Sequence, residues 1–171
     1  MRVAAMHITA QSRVIDIGAH NGEFFCLLGD KLQSGFGVEP LLIEPIHTPS
    51  FSLFPGFFPA VKPHDGEWDA ITMLAVLEHI PRVAQAQLVE ACYDLLKPGG
   101  KVIITVPSPF VDNILHILRA TNLIDGMSLE EHFGFLPDET SALFSEPRFK
   151  LISHKRFQLG LNHLFVLEKN A

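Results

Sequence analysis

The residues best suited to ligand chemistry are two acids, Asp16 and Glu39, which lie near the ends of two short predicted strands. Asp16 falls within the apolar run 14–17 and is followed by Gly18 and Gly22. A charged side chain within a buried run needs a partner, and glycines permit a sharp turn and the close approach of a ligand. The pattern predicts that Asp16 accepts hydrogen bonds from loop amides or from a cationic ligand group. It therefore favours a cationic or zwitterionic ligand over a pyrophosphate.

The segment after the glycines is amphipathic. Phe24, Leu27, Leu28 and Leu32 recur at helical spacing, which predicts the first helix over residues 22–32. In an open α/β sheet, ligands bind at the carboxyl end of a strand, beside the turn that leads into the next helix. The succession of strand, glycine turn and helix therefore predicts a binding site at this turn.

The rest of the chain alternates predicted strands and helices. Strands are predicted over residues 35–39, 68–74, 101–106, 149–157 and 161–168, with one more short strand inside the Phe- and Pro-rich stretch 51–66. Helices are predicted over residues 81–96, 110–121 and 137–145, with helical turns over 41–46 and a loop over 125–136. Such alternation implies a parallel sheet, and only the last two strands, joined through Gly160, can pair antiparallel. The expected fold is one α/β domain with a doubly wound, mostly parallel sheet of seven strands.

Composition narrows the function classes. The chain has 171 residues, of which 47% are hydrophobic, and its formal net charge is -6. A dedicated nucleic-acid binder normally carries a basic patch; this sequence has no Lys/Arg cluster, so nucleic acid is not an expected partner. No run reaches the roughly 18 apolar residues of a membrane span, and residues 1–13 lack the apolar core of a signal peptide. The oligomeric state stays open.

The two cysteines, Cys26 and Cys92, both fall in predicted helices. They are expected to be small buried hydrophobes in a reducing cytoplasm. Their spacing is not that of a metal site, so no bound metal is expected.

Four motifs, in order, carry a family resemblance. The loop Asp16-Ile-Gly-Ala-His-Asn-Gly22 resembles the acid-x-Gly-x-Gly-x-Gly loop of class I S-adenosylmethionine-dependent methyltransferases, and Glu39 lies where that family places an acid on the ribose hydroxyls. Residues 68–80 resemble the family's fourth strand and its Leu-Glu-His exit. Residues 95–105, with Lys-Pro-Gly-Gly, resemble its helix end and fifth strand. The resemblance covers residues 13–169 and is to the small, type 11/12-like members.

The resemblance implies a Rossmann-like domain over residues 1–171 that uses S-adenosylmethionine and releases S-adenosylhomocysteine. Two departures stand out. His20 replaces the middle glycine of the loop, where a positive φ would be tolerated but not favoured for His. No clear acid follows the third strand to reach the adenine amine, and Asp65 is a weak substitute, so we expect adenine to be held by stacking and backbone bonds. The implied donor-binding residues are Asp16, Gly18, Ala19, His20, Gly22, Glu39, Pro40, Leu74 and Ala75.

The candidates for acceptor chemistry are two histidines. Residues 107–136 follow the fifth strand and are expected to cover the acceptor site. Within them, His132 is either a base that orients the acceptor or a loop His held by neighbouring acids. His79 either faces the acceptor or is a packed surface His. Glu78 is expected to pair with a nearby helix end, and Asp69 to be a structural acid.

The sequence thus predicts in-line methyl transfer to a small-molecule acceptor, for example a sugar or a lipid-linked intermediate. One alternative is a non-catalytic S-adenosylmethionine-binding partner subunit with the same fold, which His20 and the missing adenine acid would suit. A second is a nicotinamide-dependent oxidoreductase. Its dinucleotide motif needs glycines at offsets of about zero, two and five, whereas Gly18 and Gly22 are four residues apart.

Overall fold

A computed structural model describes residues 1–108 and 137–171 as an eight-stranded mixed sheet with helices on both faces. The strands are β1 (Ser12–Ile17), β2 (Leu32–Glu39), β3 (Ile46–His47), β4 (Phe51–Pro55), β5 (Trp68–Leu74), β6 (Leu96–Pro107), β7 (Phe149–Phe157) and β8 (Asn162–Lys169). The α-helices in these residues are α1 (Arg2–Ala5), α2 (Glu23–Leu28), α3 (Arg82–Leu95) and α4 (Pro137–Leu143), with 3-10 turns at Gly29–Lys31 and Leu77–His79.

The sheet has the strand order β3-β4-β2-β1-β5-β6-β8-β7. The central pairs β4–β2, β2–β1, β1–β5 and β5–β6 are parallel, and β8 pairs antiparallel with both β6 and β7. The predicted α/β class, parallel centre and antiparallel C-terminal pair are confirmed. The predicted count of seven strands is one too few, because the two-residue strand β3 adds an antiparallel edge to β4.

Two apolar layers sandwich the sheet. On one face, buried side chains of β1, β5 and β6 pack with Leu88 and Cys92 of α3 and with Phe144 at the end of α4. On the other face, Ala4 of α1 and Phe24 of α2 pack against alternate residues of the same strands. Because helices cover both faces of the central strands, β1 and β5 are almost continuously buried, as expected for a parallel sheet.

Two predicted helical segments are wrong. Helix α2 ends at Leu28, not at residue 32, because Gly29 adopts a φ of +52° and ψ of -125° that L-residues rarely adopt. Leu32 instead begins β2. Residues 41–46 form turns and bends, and Ile46 belongs to β3, where pairing with β4 replaces the predicted helical turns. The buried environment predicted for Cys26 is also wrong, since Cys26 is exposed, whereas Cys92 is buried.

The C-terminal half follows the prediction more closely. β5 and β7 have the predicted bounds, and α4 covers most of the predicted helix 137–145. β6 begins at Leu96 and includes the Lys-Pro-Gly-Gly stretch, because Leu96 pairs with Trp68 of β5. The helix predicted over 110–121, the loop predicted over 125–136 and most of the acceptor cover predicted over 107–136 lie outside the described residues. In the part of the chain that is described, no helix is long and apolar enough to cross a membrane.

Candidate functional site

The turn after β1 needs its two glycines for its own conformation and packing. Gly18 and Gly22 have φ of +75° and +81°. A Cβ on Gly18 would collide with the side chain of Val76, and one on Gly22 would lie 2.7 Å from a ring carbon of Phe51. The glycines therefore let the turn pack against β4 and the exit of β5. The predicted sharp turn is confirmed by these φ values, whereas the approach of a ligand to the backbone stays a prediction.

The turn is tied to the neighbouring strand through its amides. The N–H groups of Gly18 and Ala19 both donate to the carbonyl of Val38 in β2, at 2.9 and 3.1 Å. The prediction that loop amides bind the Asp16 carboxylate is therefore wrong for these two amides. They hold the turn against the end of β2 instead.

Asp16 is a buried carboxylate whose partner is a hydroxyl. The Thr72 hydroxyl, opposite it in the β1–β5 register, donates to Asp16 Oδ1 at 2.5 Å. Burial raises the pKa of Asp16 to about 7, the Thr72 bond opposes this shift, and the nearby carboxylates of Glu23 and Glu39 add to it. A cationic group beside Asp16 would restore the ionised form, because an opposite charge favours it.

Glu39 joins the ends of two loops. Its Oε2 accepts the His20 N–H at 2.9 Å, and its Oε1 accepts the Leu41 N–H at 3.0 Å. The side chain is buried, at 8% exposure. Each carboxylate oxygen accepts more than one hydrogen bond, so this arrangement leaves acceptor capacity for a ligand hydroxyl while fixing the orientation of the carboxylate.

His20 has the positive φ that the sequence suggested, at +47°. Its ring does not lie in the cavity described below. His20 Nδ1 lies 2.9 Å from Glu23 Oε1, on the surface at the start of α2. This hydrogen bond raises the pKa of His20 and lowers the pKa of Glu23.

A cavity of about 130 Å³ opens beside the turn, at the carboxyl ends of β1, β2 and β4. Pockets that enclose a whole drug-sized ligand measure roughly 300–1,000 Å³, so this cavity has room for one ring system and not for a whole nucleoside-amino acid ligand. Its walls are apolar, with one imidazole. It is lined by Ile17, Gly18, Val38, Pro40, Gly56, Phe57, Phe58, Val76, His79 and Ile80.

The structure brings most of the sequence-predicted residues to this end of the sheet. Pro40 and His79 line the cavity. Leu74 ends β5, and Ala75 follows it with a φ of +60°. The Ala75 N–H donates to Thr105 at its carbonyl (2.9 Å) and its hydroxyl (3.1 Å), so this N–H is engaged within the protein.

Other predicted residues lie elsewhere. Asp69 accepts the Arg13 N–H at 2.8 Å and forms an ion pair with Lys97, at the opposite end of β5 from the cavity. Asp65 pairs with Arg13 at 2.5 Å. Glu78 is buried in the 3-10 turn after β5, and His132 lies outside the described residues.

Sequence reasoning missed two parts of the site. Thr72 shows its role only through the register that places it beside Asp16. Phe57 and Phe58 follow β4, where the family often has an acid, and supply aromatic walls to the cavity.

These features place two buried carboxylates and an apolar cavity at the carboxyl edge of a doubly wound sheet. A family model described as "Methyltransferase domain" matches residues 2–156. The chain belongs to this methyltransferase family, and the predicted class, an S-adenosylmethionine-dependent methyltransferase with that cofactor, is confirmed.

Curated relatives match part of the chain. A ubiquinone biosynthesis O-methyltransferase of Sodalis glossinidius is 31% identical over 98 residues, which are 52% of this chain and 39% of that protein. The homologous protein of Nitrosococcus oceani is 34% identical over 102 residues, 54% of this chain and 42% of that protein. The matched segments thus span about two fifths of the length of these relatives.

Solved structures share the fold. A Haloferax volcanii methyltransferase in complex with the Trm112 methyltransferase activator superposes with a TM-score of 0.75 at 13% identity, covering 99% of this chain and 88% of that one. The 1,6-didemethyltoxoflavin-N1-methyltransferase of Burkholderia thailandensis, solved with S-adenosylhomocysteine, has a TM-score of 0.70 at 15% identity, covering 99% and 78%. At these identities the likeness is one of fold.

Proposed function

We propose that this chain binds S-adenosylmethionine at the carboxyl ends of β1 and β2 and transfers its methyl group to a hydroxyl of a small molecule. The observation that carries the proposal is the pair of buried carboxylates, Asp16 and Glu39, on adjacent strands beside a ring-sized cavity. Asp16, Glu23 and Glu39 are close enough for their charges to act on one another. Three carboxylates around one turn favour a ligand that carries positive charge.

The residues present fit this donor. In our assignment the adenine ring lies in the 130 Å³ cavity, between Pro40 and the Phe57–Phe58 side, and stacking replaces the missing acid. Glu39, held by two backbone amides, accepts hydrogen bonds from the ribose hydroxyls. Asp16 faces the amino acid end, where an ammonium group offsets its burial.

His79 belongs to the donor side in this assignment. It lines the same cavity as Pro40 and Phe57, so we assign it to the nucleoside and not to the acceptor. His132 stays the predicted base or acceptor-orienting residue, and residues 107–136 stay the predicted acceptor cover.

When bound, S-adenosylmethionine supplies a methyl group activated for displacement by the sulfonium charge. The chain's contribution is mainly positional: Glu39 and Asp16 fix the two ends of the donor, and alignment of reacting atoms supplies up to roughly 7–11 kcal/mol. A hydroxyl acceptor also needs a base, which contributes on the order of 10²–10⁴-fold.

The choice of a hydroxyl acceptor is supported by the curated relatives, whose name is O-methyltransferase. The sugar or lipid-linked acceptor and the cytoplasmic location stay predictions.

Calorimetry with S-adenosylhomocysteine tests donor binding. Wild-type protein is expected to bind. Glu39→Gln is expected to bind at least about tenfold more weakly, since Gln keeps one acceptor oxygen and its NH2 group faces a backbone N–H that Glu39 binds. Glu44→Gln is the matched control, because Glu44 is exposed on the same connection. Equal affinity of Glu39→Gln and wild type would refute the assignment.

Turnover separates the enzyme from the non-catalytic subunit. Donor consumption is measured with a panel of phenols, sugars and hydroxylated lipids. Tight binding with no consumption across the panel would favour the subunit. A thermal shift with nicotinamide dinucleotides and none with S-adenosylhomocysteine would favour the oxidoreductase.

A further inference from the structure

The structure contains a second and larger opening besides the donor cavity. A groove of about 820 Å³ lies on the α3 face of the sheet and shares no lining residue with the donor cavity. Its volume falls within the roughly 300–1,000 Å³ of small-molecule pockets. It is lined by Arg13, Phe36, Phe54, Ala60, Val61, Lys62, Pro63, His64, Asp65 and Trp68.

The floor of the groove is a row of rings across adjacent strands. Phe54 of β4 stacks on Phe36 of β2, with centroids 4.6 Å apart. Phe36 meets the edge of Trp68 in β5 at 6.3 Å, and the guanidinium of Arg13 in β1 lies 4.4 Å from the Trp68 ring. His47 of β3 extends the row by an edge contact with Phe54 at 5.7 Å. The row thus has aromatic rings on four of five neighbouring strands, and the fifth strand, β1, contributes Arg13.

One wall is formed by the connection 56–67, which contains no helix. It is bound to the floor at its far end: Arg13 donates to the Gly66 carbonyl at 3.2 Å and to the Asp65 carboxylate at 2.5 Å. The Trp68 indole N–H donates to the Asp65 carbonyl at 3.0 Å. In a doubly wound fold, helices normally cover both faces of the sheet. Here the loop leaves Phe36 and Phe54 partly exposed, whereas Trp68 is buried beneath it.

The charge at the rim is positive. Arg13 is neutralised by Asp65, whereas Lys62 and His64 are exposed and make no hydrogen bond or ion pair with residues 1–108 or 137–171. These two side chains stand on a protein whose formal net charge is -6. Because Lys62 lies beside an aromatic floor, the groove has an apolar side and a cationic side.

We propose that this groove is a second ligand site, which binds a flat aromatic anion. The ligand's ring stacks on the Phe36–Phe54 floor, where aromatic pairs prefer centroids about 4.5–7 Å apart. Its carboxylate or similar group pairs with the Lys62 ammonium at the rim, because charge-assisted hydrogen bonds favour an anion there, and a ring N–H of His64 is a further donor. Arg13 stiffens the floor and wall and does not itself carry the anion.

The fluorescence of Trp68 reports on binding in the groove. Trp68 is the only tryptophan, and it lies in the groove, so a nitroaromatic ligand that stacks there quenches its emission. The probe is 4-nitrobenzoate, and 4-nitrobenzyl alcohol is the matched neutral compound. We expect saturable quenching by the anion and an affinity at least about fivefold lower for the alcohol. Calorimetry on the same pairs gives the affinity independently of fluorescence.

Two variants locate the site. Lys62→Gln is expected to lower the affinity for 4-nitrobenzoate at least about fivefold and to leave the affinity for 4-nitrobenzyl alcohol unchanged. Ala60→Phe places a ring at an exposed position in the wall of the groove. It is expected to lower the affinity for both compounds, as measured by calorimetry. Lys150→Gln, an exposed change on β7, is the charge-matched control and is expected to change neither.

Binding of S-adenosylhomocysteine serves as the measure of folding, since none of these positions lines the donor cavity. Three results would overturn the proposal in variants that keep that binding: non-saturable quenching, equal affinity for anion and alcohol, or unchanged 4-nitrobenzoate affinity in Ala60→Phe.

Discussion

Replacing Asp16 with Asn removes one titrating group from the centre of the candidate site and changes little else. The amide oxygen of Asn still accepts the Thr72 hydroxyl bond, and the two side chains are nearly the same size. What is lost is the ability to carry a negative charge. The pH dependence of both stability and donor binding should therefore differ between the two proteins.

The size of the effect follows from the pKa of Asp16. It is about 7 in the folded chain against the ordinary value of 3.8, so between these values the folded chain holds a proton that the unfolded chain has released. Stability therefore falls as pH rises through that window. A shift of this size corresponds to a loss of about 3 kcal/mol between about pH 5 and about pH 8. Asp16→Asn lacks this loss.

Chemical denaturation at about pH 5 and about pH 8 measures this loss of stability. The wild-type loss relative to Asp16→Asn isolates Asp16, because the histidines titrate alike in both proteins. Asp30→Asn, a change at an exposed position, is the control and should show the same dependence of stability on pH as the wild type. The same pH slope in wild type and Asp16→Asn would refute the reasoning.

Donor binding should show the opposite dependence. A cationic ligand group favours the ionised carboxylate, so wild-type affinity for S-adenosylhomocysteine rises with pH, by up to about tenfold per unit below pH 7. Asp16→Asn should lack this rise and bind more weakly above about pH 7. Calorimetry across the range checks both statements, and a wild-type affinity independent of pH would contradict the assignment of Asp16 to the amino acid end.

Three further predictions concern packing and reactivity. Thr72→Val removes the hydroxyl donor to Asp16; a denaturant titration at about pH 8 should show a loss of about 1.5–3 kcal/mol that shrinks at about pH 5. Gly22→Ala combines a φ of +81° with a Cβ 2.7 Å from an aromatic ring of β4, so a thermal melt should show destabilisation of about 2 kcal/mol or more. Exposed Cys26 should be alkylated in the native protein, whereas burial raises the pKa of Cys92 and should protect it until denaturant is added, as mass spectrometry can check.

Regular hydrophobic patterns were sufficient to predict most of the fold. β5 matches its predicted bounds because its apolar residues identify a buried strand without help from distant residues. β7 also matches its predicted bounds, although most of its residues are exposed at the edge of the sheet. The prediction failed at residues 41–46, where the decisive interaction is non-local: Ile46 pairs with Leu53 at the sheet edge. It also failed at residues 29–32, where the conformation of Gly29 ends α2 before the apolar spacing does.

For the candidate site, the sequence identified the acids but not their partners. Asp16 and Glu39 stand out as charges at the ends of apolar strands. Thr72 could not be identified, because only the alignment of β1 with β5 brings it to Asp16. The aromatic wall of the cavity likewise depends on how the chain leaves β4, because only that path brings Phe57 and Phe58 to the cavity.

The connections 40–50 and 56–67 contain no helix. The edge of the sheet formed by β3 and β4 is therefore less covered than the strands that pack against α3. The strands under α3 are shielded from water, whereas β3 and β4 form an edge with less cover, and partial opening begins where apolar contacts are fewest. Phe57 and Phe58, which line the donor cavity, directly follow β4 at this less covered edge. We therefore expect amide hydrogens of β3 and β4 to exchange with solvent deuterium before those of β5 and β6. We also expect S-adenosylhomocysteine to leave its site through this edge.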